Sequence, residues 1–388
     1  MRPAAIITGI GLATPLGIGV DETWRALLAG RAIRDHARVA HLDEKESRIF
    51  QIAHRAAVTA GAGKPRPDAL VVGSSKGEAD AWIANASLPL AGIGNLAAQL
   101  GDVLKIPGPR LTISAACASG LQALIRGALL IAAGDAQRVL VVAAESSLHP
   151  MFLENYRRLG VLAPEGAGCR PFDRDRQGFC LSEAAAAVML ERDLTAEETE
   201  DHGGETNAEC LPPSSSVSSA VKNPRHQPPA GADKKIAVES VAFGSDATHL
   251  TGSDPTGKPL RNLLARVTAG RQFDLIHAHG TGTVANDAIE LAALESVLAE
   301  QAGTAPLVYS HKAALGHSLG AAGLISIVLN VQMHRSGIVP GNTNTPHPLP
   351  ARRLTISSQP ERRPIRRSLA IAAGFGGAMA AVSLNALE

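Results

Sequence analysis

An α/β fold with both faces of its sheet covered is predicted by three features of the chain. Strand-like and helix-like segments alternate from the N-terminus onward. The stretch from Leu111 to Ala144 reads as strand, tight turn, helix and strand in succession, and a related strand, loop and helix recur from Leu307 to Met333. Finally, 45% of the 388 residues are hydrophobic, enough to bury a large core and to exclude disorder of the whole chain.

Taken in order, Ala4 to Thr8 is an apolar strand, Asp21 to Leu28 a helix, Ala69 to Val72 a second strand, and the segment near Asn95 to Leu100 a helix. The strand Leu111 to Ile113 runs into Ser114-Ala-Ala-Cys117-Ala-Ser-Gly120, after which Leu121, Leu124, Ile125, Ala128, Leu129 and Ala132 recur at helical spacing. Gly134 ends that helix, and Arg138 to Ala144 is an apolar run of the kind a buried strand shows. Residues 196–233 change character, with Pro212-Pro213, a serine cluster from Ser214 to Ser219 and Pro228-Pro229. Such a stretch cannot bury enough apolar surface to offset its ordering entropy, so it is expected to be a surface insertion. Ile236 to Gly244 alternates like a strand, Phe273 to Ile276 and Leu307 to Tyr309 are further strands, and Gly320 to Met333 is an apolar helix. Two halves are expected, 1–253 and 254–388.

Bulk charge excludes some partners. With 37 basic and 36 acidic residues, nothing global draws the chain to nucleic acid or to an anionic membrane surface. Cys117, Cys169, Cys180 and Cys210 show neither metal spacing nor the density of a disulfide scaffold, which points to a reducing compartment, by default the cytoplasm. No signal-peptide pattern stands at Met1 to Gly9, and no uninterrupted apolar run reaches the ~18 residues of a membrane span. A soluble protein is expected.

Three segments carry chemistry. Cys117 stands where a helix begins, and there the unpaired amides and the helix dipole favour a thiolate of lowered pKa. In His277-Ala-His279-Gly-Thr-Gly-Thr283 the glycines allow close backbone approach to a ligand, and Thr281 and Thr283 offer hydroxyls to a polar arm. In His311-Lys312-Ala-Ala-Leu-Gly-His317-Ser-Leu-Gly320 a lysine and a histidine precede a helix of small residues. Each segment follows a strand, so all three can meet at the strand ends, where open α/β sheets place their sites.

Together these segments resemble the β-ketoacyl carrier-protein synthases of the thiolase superfamily, and the resemblance extends with gaps over nearly the whole chain. It implies a thiolase-like fold of two pseudo-duplicated halves in an αβαβα arrangement. It also implies a Cys-His-His acyltransferase, with Cys117 as nucleophile, His279 and His317 as the two histidines and Lys312 as the active-site lysine. Glu290, in Asn286-Asp287-Ala-Ile-Glu290, is carried over as the partner of Lys312, while Asp287 is read as a helix cap. Pro171-Phe172-Asp173-Arg174-Asp175-Arg176-Gln-Gly178-Phe179 is a scaffold signature. In Gly374-Phe375-Gly376-Gly377 the Phe375 N–H becomes the second oxyanion donor beside that of Cys117. Two departures stand out: Ala378-Met379 replaces the family's Thr-Asn, and the segment between Gly77 and Asn95 is short, which implies a small or atypical acyl pocket.

The implied reaction is a decarboxylating Claisen condensation in fatty-acid or polyketide-type synthesis. An acyl group moves to Cys117, and malonyl on the phosphopantetheine of an acyl carrier protein is held by Thr281 and Thr283. Two imidazoles then stabilise the enolate formed as carbon dioxide leaves. No metal or redox cofactor is required, and a homodimer or a heterodimer with a related subunit is expected. Two rivals stay open: a coenzyme A thiolase, which wants a second cysteine beyond Cys210, and a non-catalytic chain-length-factor-like partner.

Competing motifs are weaker. Gly73-Ser-Ser75-Lys-Gly77 fits the hydrolase elbow in letters only, and Gly9-Ile-Gly11-Leu-Ala-Thr14 lacks the third glycine of a dinucleotide loop. His277, His279 and His311 lack a completing metal ligand. The arginines at 352, 353, 362, 363, 366 and 367 read as a solvated basic loop.

Overall fold

The computed structural model describes residues 5–61, 65–79, 83, 92–193, 234–249, 252–299 and 303–387. Its main strands are β1 (Ala5–Thr14), β2 (Ala69–Gly73), β3 (Arg110–Ile113), β4 (Arg138–Glu145), β5 (Ala184–Arg192), β6 (Ile236–Ser245), β7 (Leu275–His277), β8 (Leu307–Tyr309), β9 (Arg367–Ala373) and β10 (Ala378–Ala386). Hydrogen bonding links them in the order β8-β7-β9-β10-β6-β1-β5-β4-β2-β3. Thr355–Ile356 adds a short parallel strand outside β8, and Gly17–Ile18 folds back on β1.

Read outward from the junction of β1 and β6, the two halves have one topology: β1-β5-β4-β2-β3 and β6-β10-β9-β7-β8. Strands five apart hold equivalent places and run in equivalent senses. β2 lies parallel to β3 and β4, and β5 antiparallel to β4 and β1. β7 lies parallel to β8 and β9, and β10 antiparallel to β9 and β6. Strand order therefore makes β6 the first strand of the second set and moves the division ahead of Ile236, not to 254 as expected. The sequence hides this because β6 also pairs with β1, Ile6 opposite Ala237.

Five layers result. Helices α1 (Val20–Leu28), α2 (Arg48–Thr59), α3 (Asn95–Val103), α4 (Ser119–Ala133) and α5 (Pro150–Arg158) belong to the first half. The second half contributes α6 (Lys258–Thr268), α7 (Val284–Val297) and α8 (Ala322–Ser336). α2 and α3 cover one outer face through Ile49, Ile52, Ala56, Leu96 and Leu100; α6 and α7 cover the other through Leu260, Leu264, Leu291 and Leu294. α4 and α8 form the middle layer, each touching strands of both halves. Residues 116–133, α4 with its leading turn, are long and apolar enough to cross a membrane by composition, and here they lie against sheet on both sides. Apolarity all round α8, buried from Ala322 to Val331, has the same cause.

Most expected elements stand within a few residues of their place. β1 runs on to Thr14 where a strand ending at Thr8 was expected, because Gly11 does not break it: a Cβ there would lie 2.0 Å from the Ala56 carbonyl oxygen of α2. The Gly9 to Thr14 motif is thus strand, not a phosphate loop. The expected helix from Gly320 divides into a 3-10 turn, Leu319–Ala321, and α8. The expected insertion at 196–233 and Cys210 lie outside the described residues.

Candidate active site

Cys117 stands two residues before α4, with 6% of its surface exposed. Ala116 before it has φ +48°, a left-handed conformation that costs a residue with a Cβ and must be held from outside. Ser119 holds it: its hydroxyl accepts the Ala115 N–H at 2.9 Å and donates to the Ala116 carbonyl at 2.6 Å. Burial pushes the Cys117 thiol up to about 11, against the pull of Lys76, Lys312 and the Phe375 N–H. The expected lowering at the helix start is corrected, since desolvation of the thiolate outweighs every favourable charge around it.

The Gly374–Gly377 turn between β9 and β10 reaches this sulfur. Gly377 N–H donates to the Gly374 carbonyl at 3.0 Å, and Gly374 N–H to the Ala378 carbonyl at 2.8 Å. A Cβ at Gly374 would lie 2.9 Å from the Cys117 nitrogen, so only glycine lets the turn close on Cys117 and bring the Phe375 N–H to its sulfur. Ala378 and Met379 begin β10; Ala378 pairs with Ser245, and Met379 is buried in the outer core.

β7 delivers His279, and α7 holds it. Asp287 and Glu290 are three residues apart on that helix and so share a face. Glu290 accepts the N–H of His279 at 2.6 Å and of Gly280 at 2.8 Å; Asp287 accepts that of Gly282 at 3.1 Å and of Phe172 at 2.7 Å. The cap of α7 is Thr283, whose hydroxyl accepts the Asn286 N–H and lies 3.0 Å from that of Thr281. Asp287 is thus a clamp on the loop, not the expected cap.

Lys312 is buried, and its ammonium donates to the His279 carbonyl. Glu290 makes no ion pair with it, which corrects the expected pairing: both carboxylate oxygens are taken by backbone N–H groups. The two still feel each other. Burial pulls Lys312 down to about 8 while the Glu290 charge pulls it back up, and burial pushes Glu290 up to about 7.

His317 follows the single turn Lys312–Leu315, and its N–H donates to the Cys180 carbonyl at 2.7 Å. Its ring meets that of Phe179 edge-on, centroids 5.0 Å apart, and that of His279 at 5.6 Å. Burial, reinforced by the Lys312 cation, holds both histidines well below their ordinary range, so both are neutral at pH 7. His317 Nδ1 is buried without a partner. His277 is occupied elsewhere, with Nδ1 2.7 Å from Asn330 Oδ1 and Nε2 2.9 Å from His311 Nδ1, and so does not gather with His279 around a metal.

Other expectations resolve on contacts. Arg176 of the Pro171–Phe179 segment donates to the carbonyls of Thr283 and Val284, tying that segment to the start of α7 as scaffold. In the basic loop, Arg367 pairs with Glu239 at 2.8 Å, and Arg363 donates to the carbonyls of Ala305 and Asp274. The Ser75 hydroxyl donates to Glu145 at 2.7 Å, a carboxylate where a hydrolase nucleophile needs an imidazole.

Sequence reasoning missed two groups here. Glu145, buried at the end of β4, accepts from Ser75, Ser147 and the Gly320 N–H, joining the 74–77 loop to the turn after His317. Its one signal was an acid closing an eight-residue apolar strand. Lys76, donating to Ser75 Oγ and Tyr156 Oη at 3.2 Å each, carried no signal.

The N-terminal domain of β-ketoacyl synthases matches residues 40–196 and the C-terminal domain residues 236–346. The chain belongs to the β-ketoacyl synthase family. It is 26% identical to the 3-oxoacyl-[acyl-carrier-protein] synthase 2 of Vibrio harveyi, with 96% of each chain covered. Among solved structures it is similar to a type II polyketide ketosynthase in complex with its acyl-carrier protein, TM-score 0.80 and 21% identity with both chains covered in full. It is likewise similar to the ishigamide ketosynthase/chain length factor, TM-score 0.78 and 23% identity, again with full coverage of both. The thiolase-like fold expected of this β-ketoacyl synthase is the fold it has.

Proposed function

We propose that the protein is a β-ketoacyl-acyl-carrier-protein synthase that condenses an acyl group on Cys117 with malonyl on the carrier, in fatty-acid or polyketide synthesis. One observation carries the assignment of roles: the Gly374–Gly377 turn closes on Cys117, Cys117 shares its apolar cluster with Phe179, whose ring meets His317, and His317 meets His279, behind which Lys312 donates to the His279 carbonyl. Since burial keeps the thiol protonated, attack on the acyl thioester needs a base, and a neutral imidazole of the pair serves. The N–H groups of Cys117 and Phe375 take the oxyanion. In the second step the two imidazoles donate to the thioester oxygen as carbon dioxide leaves, stabilising the enolate more than the neutral ground state. Lys312 and Glu290 position His279 from behind, and Thr281 and Thr283 receive the pantetheine arm.

The partner is an acyl carrier protein, as it is for the polyketide ketosynthase of similar fold. A homodimer is the favoured assembly, with a heterodimer of related chains as the alternative, and a buried free thiol suits the cytoplasm. Incubation with acyl-carrier thioesters, then mass spectrometry of the Cys117 peptide, tests the reading. An acyl adduct on Cys117 with malonyl-dependent elongation is expected, both absent in Cys117→Ala; wild-type protein without an adduct overturns it.

A further inference from the structure

We propose that Lys76 selects the primer, and that the acyl site of this protein takes an acyl group ending in a carboxylate in preference to a plain alkyl chain. The proposal rests on the synthase reading above and adds the substrate class.

Lys76 follows β2 on the 74–77 loop and is half-buried. Through Tyr156, to whose hydroxyl it donates, it is joined to Phe375, whose turn packs on the Cys117 backbone, and its charge is felt at Cys117 and His317. It donates to Ser75 Oγ and Tyr156 Oη, and it lies 5.1 Å from the ring centre of Phe152 and 5.5 Å from that of Tyr156. Among the described residues no carboxylate pairs with it: the nearby Glu145 spends its oxygens on Ser75, Ser147 and Gly320. An ammonium has three donors, and two are used.

The neighbours of the ammonium tie it to the site. Tyr156 stacks on Phe375 with centroids 6.2 Å apart and meets Phe179 edge-on at 6.1 Å, and Phe179 in turn meets His317. Ammonium and phenol thus belong to the same aromatic wall as the oxyanion donor and one histidine. Burial pushes the Tyr156 phenol well above its usual range, so it stays a neutral O–H donor. An alkyl primer entering here strips water from a cation and returns nothing. A carboxylate accepts a charge-assisted hydrogen bond from Lys76 and a second from Tyr156, and a site built to hydrogen-bond its substrate rejects the analogue that lacks the group. The carboxylate takes no part in the exchange itself, in which the Cys117 sulfur bonds to the acyl carbon and the carrier thiol leaves with the proton.

The test is acylation of Cys117 in the full-length protein by succinyl-, glutaryl-, butyryl- and hexanoyl-carrier thioesters, read by mass spectrometry of the Cys117 peptide. Wild type is expected to prefer succinyl or glutaryl over butyryl by about tenfold or more in kcat/KM. Lys76→Met should lower that ratio by about tenfold, Tyr156→Phe should lower it less, and Lys76→Arg should keep most of it. Equal or better use of butyryl by wild type overturns the proposal without needing any variant to fold. A Lys76→Met protein slowed equally with all four primers also overturns it, since Lys76 would then act only on the thiol. Failure of every primer to acylate Cys117 sinks the synthase reading as well, whereas acylation without a carboxylate preference sinks this inference alone.

Discussion

The ammonium of Lys312 hydrogen-bonds the backbone carbonyl of His279, 33 residues earlier in the chain, and not a carboxylate. A buried cation is thereby held behind one imidazole of the pair, where it adds to the burial that keeps both imidazoles neutral at physiological pH.

Burial holds Lys312 at about 8, so its charge is present at pH 7 and lost as the solution becomes alkaline. Enolate formation next to that charge should therefore slow as pH rises through about 8. Malonyl-carrier decarboxylation followed from pH 6 to 9.5 should show this fall, and a flat profile would contradict it.

Burial pushes the Cys117 thiol up to about 11, so the thiolate fraction climbs about tenfold per pH unit throughout the neutral range. Alkylation by iodoacetamide, measured on the Cys117 peptide, should rise steadily from pH 7 to 9. A plateau by pH 7.5 would mean a thiolate already formed at rest.

Glu290→Gln exchanges a two-oxygen acceptor for an amide that satisfies only one of the N–H groups of His279 and Gly280. Leaving a buried donor unpaired costs about 1–3 kcal/mol, or roughly 5- to 160-fold if it falls on the transition state. Condensation should slow by that factor while acylation of Cys117 slows much less. Equal loss in both steps would place Glu290 in general folding and not in the positioning of His279.

Gly374→Ala puts a methyl 2.9 Å from the Cys117 nitrogen, and the turn must back away, taking the Phe375 N–H with it. Loss of one oxyanion donor costs about 100-fold or more in rate. Acylation should fall accordingly with the fold retained by circular dichroism; an unchanged rate would remove Phe375 from the oxyanion site.

Acid should destabilise the fold from about pH 6.5 downward. Burial depresses His277 to about 3 and His334 to about 4, and holds His279, His311 and His317 well below their ordinary range. Below 6.5 the unfolded chain takes up these protons and the folded chain does not, so stability falls by up to about 1.4 kcal/mol per histidine per pH unit. Glu290, raised to about 7 by burial, works in the opposite sense between roughly 7 and 4.5, as does the raised Asp287 above its ordinary range, two carboxyls against five imidazoles. Urea midpoints should drop clearly from pH 7 to 5.5, and unchanged midpoints would argue against buried neutral histidines.

Features written in short stretches of chain were legible beforehand. The helix after Cys117 shows its apolar spacing and its Gly134 stop, found with φ +80°. The strands before His279 and before Lys312 lie within two residues of their expected places. The partner of Glu290 was misread because two charged residues invite an ion pair, whereas backbone N–H groups carry no letter in the sequence. Lys76 passed unnoticed for a similar reason: its loop approaches Cys117 and Tyr156 only after β2, β3 and α5 are assembled.

From its own letters the chain determined an alternation of strands and helices, a sulfur at the head of an apolar helix, and two histidine loops at strand ends. Periodicity and turn chemistry act between near neighbours and survive in the order of residues. Tertiary structure alone decided that the thiol rests protonated, that the imidazoles are neutral, that Glu290 holds backbone and that Lys76 lies against Tyr156. Proton affinity follows from water excluded and charges approached, and both are set by segments distant in the chain.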